Sequence, residues 1–229
     1  MSWITNFLTS SVGRKVIMSL TGLFLIQFLL IHLIGNLQLL AGDGGQQFNV
    51  YAQFMTSNPI IKTVSIVLYG SILLHIIQGL AIWRQNSNAR KSRYAVNKSP
   101  NTDFASRNMA WLGIIIMVFL ILHLWQFWFQ MKFGILDSED YGDGPVKNLY
   151  YPVAYAFKQW WYVVAYVLAM GVIGLHLKHG FQSSFQTLGL NHKKYTPIIK
   201  TLGLIYSVLV PLGFAIIPIY FYFFVDFQY

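Results

Sequence analysis

Six histidines stand in this chain, and five of them, His32, His75, His123, His176 and His179, fall within or at the edge of strongly apolar stretches. A neutral imidazole can bind a metal, carry a proton or serve as a hydrogen-bonding strut. Inside a membrane an ionisable side chain is costly and marks a functional site by default. The densest instance is Gly174-Leu-His-Leu-Lys-His-Gly180, which places two imidazoles and a lysine at one end of a greasy run.

The elements that must position these groups follow from composition. Of 229 residues, 55% are hydrophobic, 17% aromatic and only 10% charged, and mean hydropathy is +0.51. That profile excludes a soluble single domain and implies an all-α membrane protein with five transmembrane helices, expected at about 12–40, 60–83, 108–132, 157–181 and 197–224. The first four are expected to form a ligand-holding bundle within one domain, 1–229. Arg14 and Lys15 before the first run resemble a signal peptide, but the run is too long for one and reads as a retained helix. There is no cysteine. Resident iron–sulfur clusters, thioether-attached haem and disulfides are excluded with it, since each needs thiols.

Residues 1–11 read as a short amphipathic lead-in, with Trp3, Phe7 and Leu8 suited to an interface. Gly42 to Asn58 reads as a polar loop, with Pro59 opening the second span. The connection from Arg84 to Arg107 is the most basic, carrying Arg84, Arg90, Lys91, Arg93, Lys98 and Arg107 against Asp103. Leu136 to Tyr150 is acidic and turn-rich, and Gln182 to Thr196 reads as a short loop. Pro211 and Pro218 are expected to bend the fifth span. No internal repeat suggests a transporter built from halves.

The net charge of +9 would point to nucleic acid in a soluble chain. Here the basic residues sit between spans, and alternate connections segregate them: twelve of the sixteen fall on one side (14, 15, 84, 90, 91, 93, 98, 107, 178, 193, 194 and 200), and most carboxylates on the other. The positive-inside rule then makes the N-terminus cytoplasmic and the C-terminus external, and no nucleic-acid partner is expected.

Orientation converts histidine positions into depths. His32 and His123 lie past the middle of the first and third spans toward the outside, while His75, His176 and His179 lie past the middle of the second and fourth toward the cytoplasm. One imidazole from each of four helices, two helices to a leaflet, suits two b-type haems, each held between ligands on different helices of a bundle. At about 1.5 Å rise per residue the levels should differ by roughly 10–15 Å. A single intramembrane histidine is commonly a strut worth about 0.6 kcal/mol; four, paired by level, favour ligation.

Glycine spacing orders the fourth helix. His75 has Gly70 five before and Gly79 four after, and His176 has Gly171 and Gly180 at the same offsets. A glycine at i+4 lies on the ligand's own face and leaves room for a flat macrocycle. His179 has Ser183 there instead, which favours His176 as the ligand and leaves His179 about 60° round the helix, beside a propionate or surface group. The Phe and Trp stripes read as lipid-facing or core bulk.

These residues in order, Ser11-Val12-Gly13-Arg14-Lys15, Thr21-Gly22, His32-Leu-Ile-Gly35-Asn36, His75-xxx-Gly79, His123, His176-xxx-Gly180 and Leu188-Gly189, resemble the di-haem cytochrome b subunit of succinate:quinone oxidoreductases, the five-helix anchor of bacterial succinate dehydrogenases and fumarate reductases. The likeness covers essentially the whole chain. It implies His75 with His176 for a cytoplasmic-side haem, His32 with His123 for an outer haem, and location in the bacterial inner membrane. It also implies an FAD flavoprotein and an iron–sulfur protein docked on the cytoplasmic face, with electrons passing to quinone, menaquinone in this anchor type.

Some di-haem relatives carry a glutamate near the outer start of the second helix, and no Glu stands there. Asp43 is the nearest carboxylate, with Asn36, Gln38 and Gln46 as polar alternatives, and an inner quinone site near Ser11, Arg14 and Ser19 is equally open. Arg84, Lys178 and His179 lie near the inner haem level, where they suit propionates or a partner surface. The basic connection serves topology or iron–sulfur docking. Two other readings compete. One is the di-haem quinol cytochrome of a nitrate reductase or hydrogenase, whose ligands cluster on fewer helices. The other is a non-redox carrier or proton channel with histidine relays.

Overall fold

Long apolar runs in lipid must close every backbone hydrogen bond internally, so each becomes a helix. The computed structural model describes residues 3–88 and 104–226. In chain order its helices are α1 (Trp3–Thr9), α2 (Ser11–Leu37), α3 (Gln46–Ser57), α4 (Pro59–Asn88), α5 (Phe104–His123), α6 (Gln130–Phe133), α7 (Tyr150–Phe157), α8 (Trp160–Thr187) and α9 (Thr196–Phe224). A 3-10 turn, Gln38–Leu40, prolongs α2, and a π-helical turn, Leu124–Phe129, joins α5 to α6. Five spans result, Ser11–Leu40, Pro59–Asn88, Phe104–Phe133, Trp160–Thr187 and Thr196–Phe224, each long and apolar enough to cross a membrane. The chain is an all-α membrane protein.

Connections differ from expectation in three places. The segment read as a loop before Pro59 is mostly helix: Asp43 caps α3 by accepting the Gly45 and Gln47 amides at 3.0 and 2.9 Å, and Phe48, Asn49 and Ala52 bury one face of an otherwise polar helix. Gly45, at φ +93°, supplies the left-handed turn that a side chain would resist. The fourth span starts at Trp160 because Tyr150–Phe157 forms a separate helix, and it runs on to Thr187, shortening the following loop. The acidic connection contains a small antiparallel hairpin, Ser138–Asp140 with Pro145–Lys147. Its turn is held by Asp140 Oδ1, which accepts the Gly142 and Gly144 amides. Arg90, Lys91, Arg93, Lys98, Asp103 and the Leu8 side chain lie outside what is described.

Helix packing defines a four-membered ring. α2 packs against α4 and α8, and α5 packs against α8 and, less extensively, α4, so α2 faces α5 across one diagonal and α4 faces α8 across the other. α9 lies outside the ring against α8 and α2. It runs as one helix through Pro211 and Pro218. Pro211 cannot donate to the Ser207 carbonyl, and a Cβ at Gly174 would sit 2.9 Å from that oxygen. Glycine therefore lets α8 close onto the exposed carbonyl. Tyr206 Oη, donating to the Ile26 carbonyl at 2.5 Å, ties α9 to α2.

The largest cluster of buried side chains lies at the acidic end, where Leu39, Phe48, Val153, Ala154, Phe157, Tyr166, Ile217 and Phe221 pack together. Asn49 is fully buried there. Its amide donates to Tyr141 and Asn148, and its Oδ1 accepts the Tyr150 amide at 2.9 Å. Elsewhere many isoleucines, leucines and valines, such as Ile66, Leu73, Val118 and Leu168, face outward, as lipid contact requires.

Candidate functional site

Four of the five histidines meet in two pairs. His75 of α4 and His176 of α8 have ring centroids 6.3 Å apart at an interplanar angle of 67°. His32 of α2 and His123 of α5 are 5.7 Å apart and nearly perpendicular, at 87°. Each pair spans a diagonal of the ring. His75 lies beside Gly22, whereas His32 is ten residues further along α2. The pairs are therefore separated by about 15 Å along the bundle, the upper end of the expected range. The His75/His176 level is nearer the end carrying Arg14, Lys15, Arg84 and Arg107, and the His32/His123 level is nearer the acidic connection.

Small and flexible groups surround the basic-side pair. The Thr21 hydroxyl donates to the Ile17 carbonyl at 2.8 Å, and its oxygen lies 3.1 Å from His75 Nδ1. With its own proton engaged, Thr21 accepts from Nδ1–H, leaving the His75 lone pair on Nε2. A Cβ on Gly22 would lie 3.3 Å from the His75 ring, and one on Gly113 would lie 3.9 Å from His176. At Gly79 and Gly180 it would meet the methyls of Met18 and Met109, at 2.9 and 3.9 Å. The expected hollows at i+4 thus adjoin the ends of flexible side chains, which can withdraw. Gly70 and Gly171 have nothing within 4 Å and are exposed.

Aromatic rings enclose the acidic-side pair. Phe28 stacks on His32 at 5.2 Å and Phe119 on His123 at 5.8 Å, with Phe214 beside His32 and Phe127 beside His123. Tyr166 Oη lies 3.2 Å from His123 Nδ1. Asn36 Nδ2 donates to the His32 carbonyl at 2.8 Å and lies 3.3 Å from His32 Nδ1.

The two halves of the ring share one pattern. α2 reads Met18-x3-Gly22-x5-Phe28-x3-His32, and α5 reads Met109-x3-Gly113-x5-Phe119-x3-His123. α4 and α8 share Gly-x4-His-x3-Gly, and each is preceded by a short helix, α3 or α7. Within each half the contacts correspond: Met18 meets Gly79 and Gly22 meets His75, as Met109 meets Gly180 and Gly113 meets His176. Each histidine pair joins equivalent positions of the two halves. This repeat is not of the transporter kind, and its spacings are legible in the sequence.

The remaining expected site residues are placed as follows. Arg84 is exposed on α4, and Lys178 and His179 are half-buried on α8 within one turn of His176. Asp43 spends both carboxylate oxygens on capping α3, Asn36 is bonded to His32, and Gln38 is half-buried in the 3-10 turn. Ser11 and Arg14 lie in the first turn of α2, and Ser19 is buried with its hydroxyl on the Lys15 carbonyl. Tyr166, Met18, Met109 and Gln78 were not foreseen. Gln78, three residues after His75, has a buried Oε1 without a hydrogen-bond partner among the described residues, as has His176 Nδ1. A polar side chain within a span was the available signal for Gln78, but Tyr166 shows its role only once α5 and α8 are packed. Comparisons of the chain with known protein families, with characterised proteins and with solved structures found no match.

Proposed function

We propose that this chain is the di-haem cytochrome b anchor of a succinate:quinone oxidoreductase, in which His75 and His176 would hold one haem b and His32 and His123 the other. The observation that carries the haem reading is the geometry of the pairs. A metal–imidazole bond is about 2.0–2.1 Å, so two imidazoles bound on opposite sides of one metal have ring centroids about 6 Å apart. The pairs measure 6.3 and 5.7 Å. Among the described residues no three metal-ligating side chains converge. Two imidazoles are too few for a protein-built tetrahedral site and are the number that an iron already held by a porphyrin requires. When bound, the haems supply one-electron transfer along the bundle.

The chain's residues then have definite tasks. Thr21 orients His75, and Tyr166 reaches the non-ligating nitrogen of His123. Asn36 stands beside His32 Nδ1, where it bears on the orientation of that ring. Gly22, Gly79, Gly113 and Gly180 keep side-chain bulk off the basic-side level, where the methyls of Met18 and Met109 adjoin Gly79 and Gly180.

The succinate partners, the quinone substrate and the bacterial inner membrane rest on the sequence resemblance and on charge. The basic end of the bundle is the cytoplasmic end by the positive-inside rule, and it takes the iron–sulfur subunit with its flavoprotein. Arg84, Lys178 and His179 lie on that side.

A pyridine haemochrome assay tests the haem reading, with two haems expected per chain and one after substitution of His32, His75, His123 or His176. His179→Ala keeps both; loss of a haem there with retention in His176→Ala would reverse the ligand assignment. A purified chain with no Soret band sinks the reading. Co-purification of an FAD protein and an iron–sulfur protein with succinate:quinone activity tests the partners.

A further inference from the structure

The shared pattern of the two halves makes their differences informative. His75 and His176 occupy equivalent positions, and each ring lies against a glycine of the neighbouring helix, Gly22 or Gly113. The residue before that glycine is Thr21 in the first half and Leu112 in the second. Both are buried. Thr21 bonds His75 Nδ1, whereas His176 Nδ1 is buried with no hydrogen-bond partner among the described residues. A polar group so placed is uncommon, and here its partner is missing at the position where the other half supplies one.

We propose that Thr21 is a positioning residue for the basic-side haem, fixing His75 with its proton on Nδ1, and that Leu112 in the equivalent place leaves His176 the weaker-donating ligand of the same iron. This inference rests on the haem reading above. A hydrogen bond accepted from Nδ1–H raises the basicity of the ligating nitrogen. Stronger donation to the iron favours its oxidised state and lowers the reduction potential. Thr21, with the Met18 carbonyl that the His75 ring also faces, therefore bears on the potential of the basic-side haem without touching it, and the Leu112 position is where the potential could be lowered further.

The experiment uses the full-length, haem-loaded chain, with haem content read by pyridine haemochrome and potentials by optical redox titration. His176→Ala identifies the basic-side component as the one it loses. In Thr21→Val both haems remain and the basic-side redox equilibrium shifts about tenfold toward reduction, about 59 mV for one electron. Thr21→Ser restores it, and Leu112→Thr shifts the same component the opposite way. The acidic-side component stays fixed throughout. The inference is overturned if Thr21→Val and Leu112→Thr keep both haems with unchanged potentials, or if the shift falls on the other component. Should Thr21→Val shed the basic-side haem, Leu112→Thr decides by itself: a lowered potential supports the inference and an unchanged one overturns it. A wild-type chain without haem brings down the haem reading and the Thr21 role together.

Discussion

The two histidine levels are built from equivalent residues of the two halves and yet differ in almost everything around them. The basic-side pair is bordered by Thr21, Gly22, Gly113 and two methionine methyls, whereas the acidic-side pair is stacked by Phe28 and Phe119 and adjoins the aromatic cluster of Tyr166, Phe157 and Phe221. The difference teaches that helix periodicity sets where imidazoles meet, while the neighbouring side chains decide how each is oriented and how tightly its surroundings are packed. Among the described residues, the basic-side pair is flanked by the flexible ends of Met18 and Met109. The acidic end is clamped by α3, α7 and the fully buried Asn49.

The comparison breaks most completely if the levels are not independent. His75→Ala is expected to remove one haem and leave the His32/His123 component spectroscopically intact, and His123→Ala to do the reverse; loss of both haems in either variant would show a single coupled site. A bulky residue should discriminate next. Gly79→Leu or Gly180→Leu is expected to abolish most binding at the basic-side level alone, seen as haem content falling from two toward one. Acidic-side loss would place those glycines wrongly.

Stability should be asymmetric as well. Asn49→Ala leaves the half-buried Tyr150 amide without its acceptor and removes two further bonds, a loss on the order of 2 kcal/mol, checked by thermal unfolding in detergent. It is expected to loosen the acidic-side haem before the basic-side one. The smallest effect is expected from Tyr166→Phe, which keeps the packed ring and deletes only the hydroxyl beside His123 Nδ1. Both haems should remain, with the acidic-side potential moved and stability lowered by about 1 kcal/mol; an unmoved potential would assign Tyr166 to packing.

The spans, their number and the histidine depths were legible because long apolar runs have one solution in lipid and because rise per residue converts position into height. Glycine spacing pointed to His176 rather than His179, and the structure brings the His176 ring to 6.3 Å from that of His75. α3 was not legible, since a polar helix with one buried face looks like a loop until Asp43 and Gly45 are seen to start it. Asp43, the nearest carboxylate to the outer start of the second span, has both oxygens committed to that cap.

What the sequence by itself determined is the set of five helices and the level of each imidazole, because both depend only on local periodicity and hydropathy. What the tertiary structure decided is which helices face each other across the ring, and so which histidines pair. It also decided which nitrogen each neighbour engages: Thr21 and Tyr166 become partners of His75 and His123 only when residues 54 and 43 positions apart are brought within hydrogen-bonding distance by helix packing.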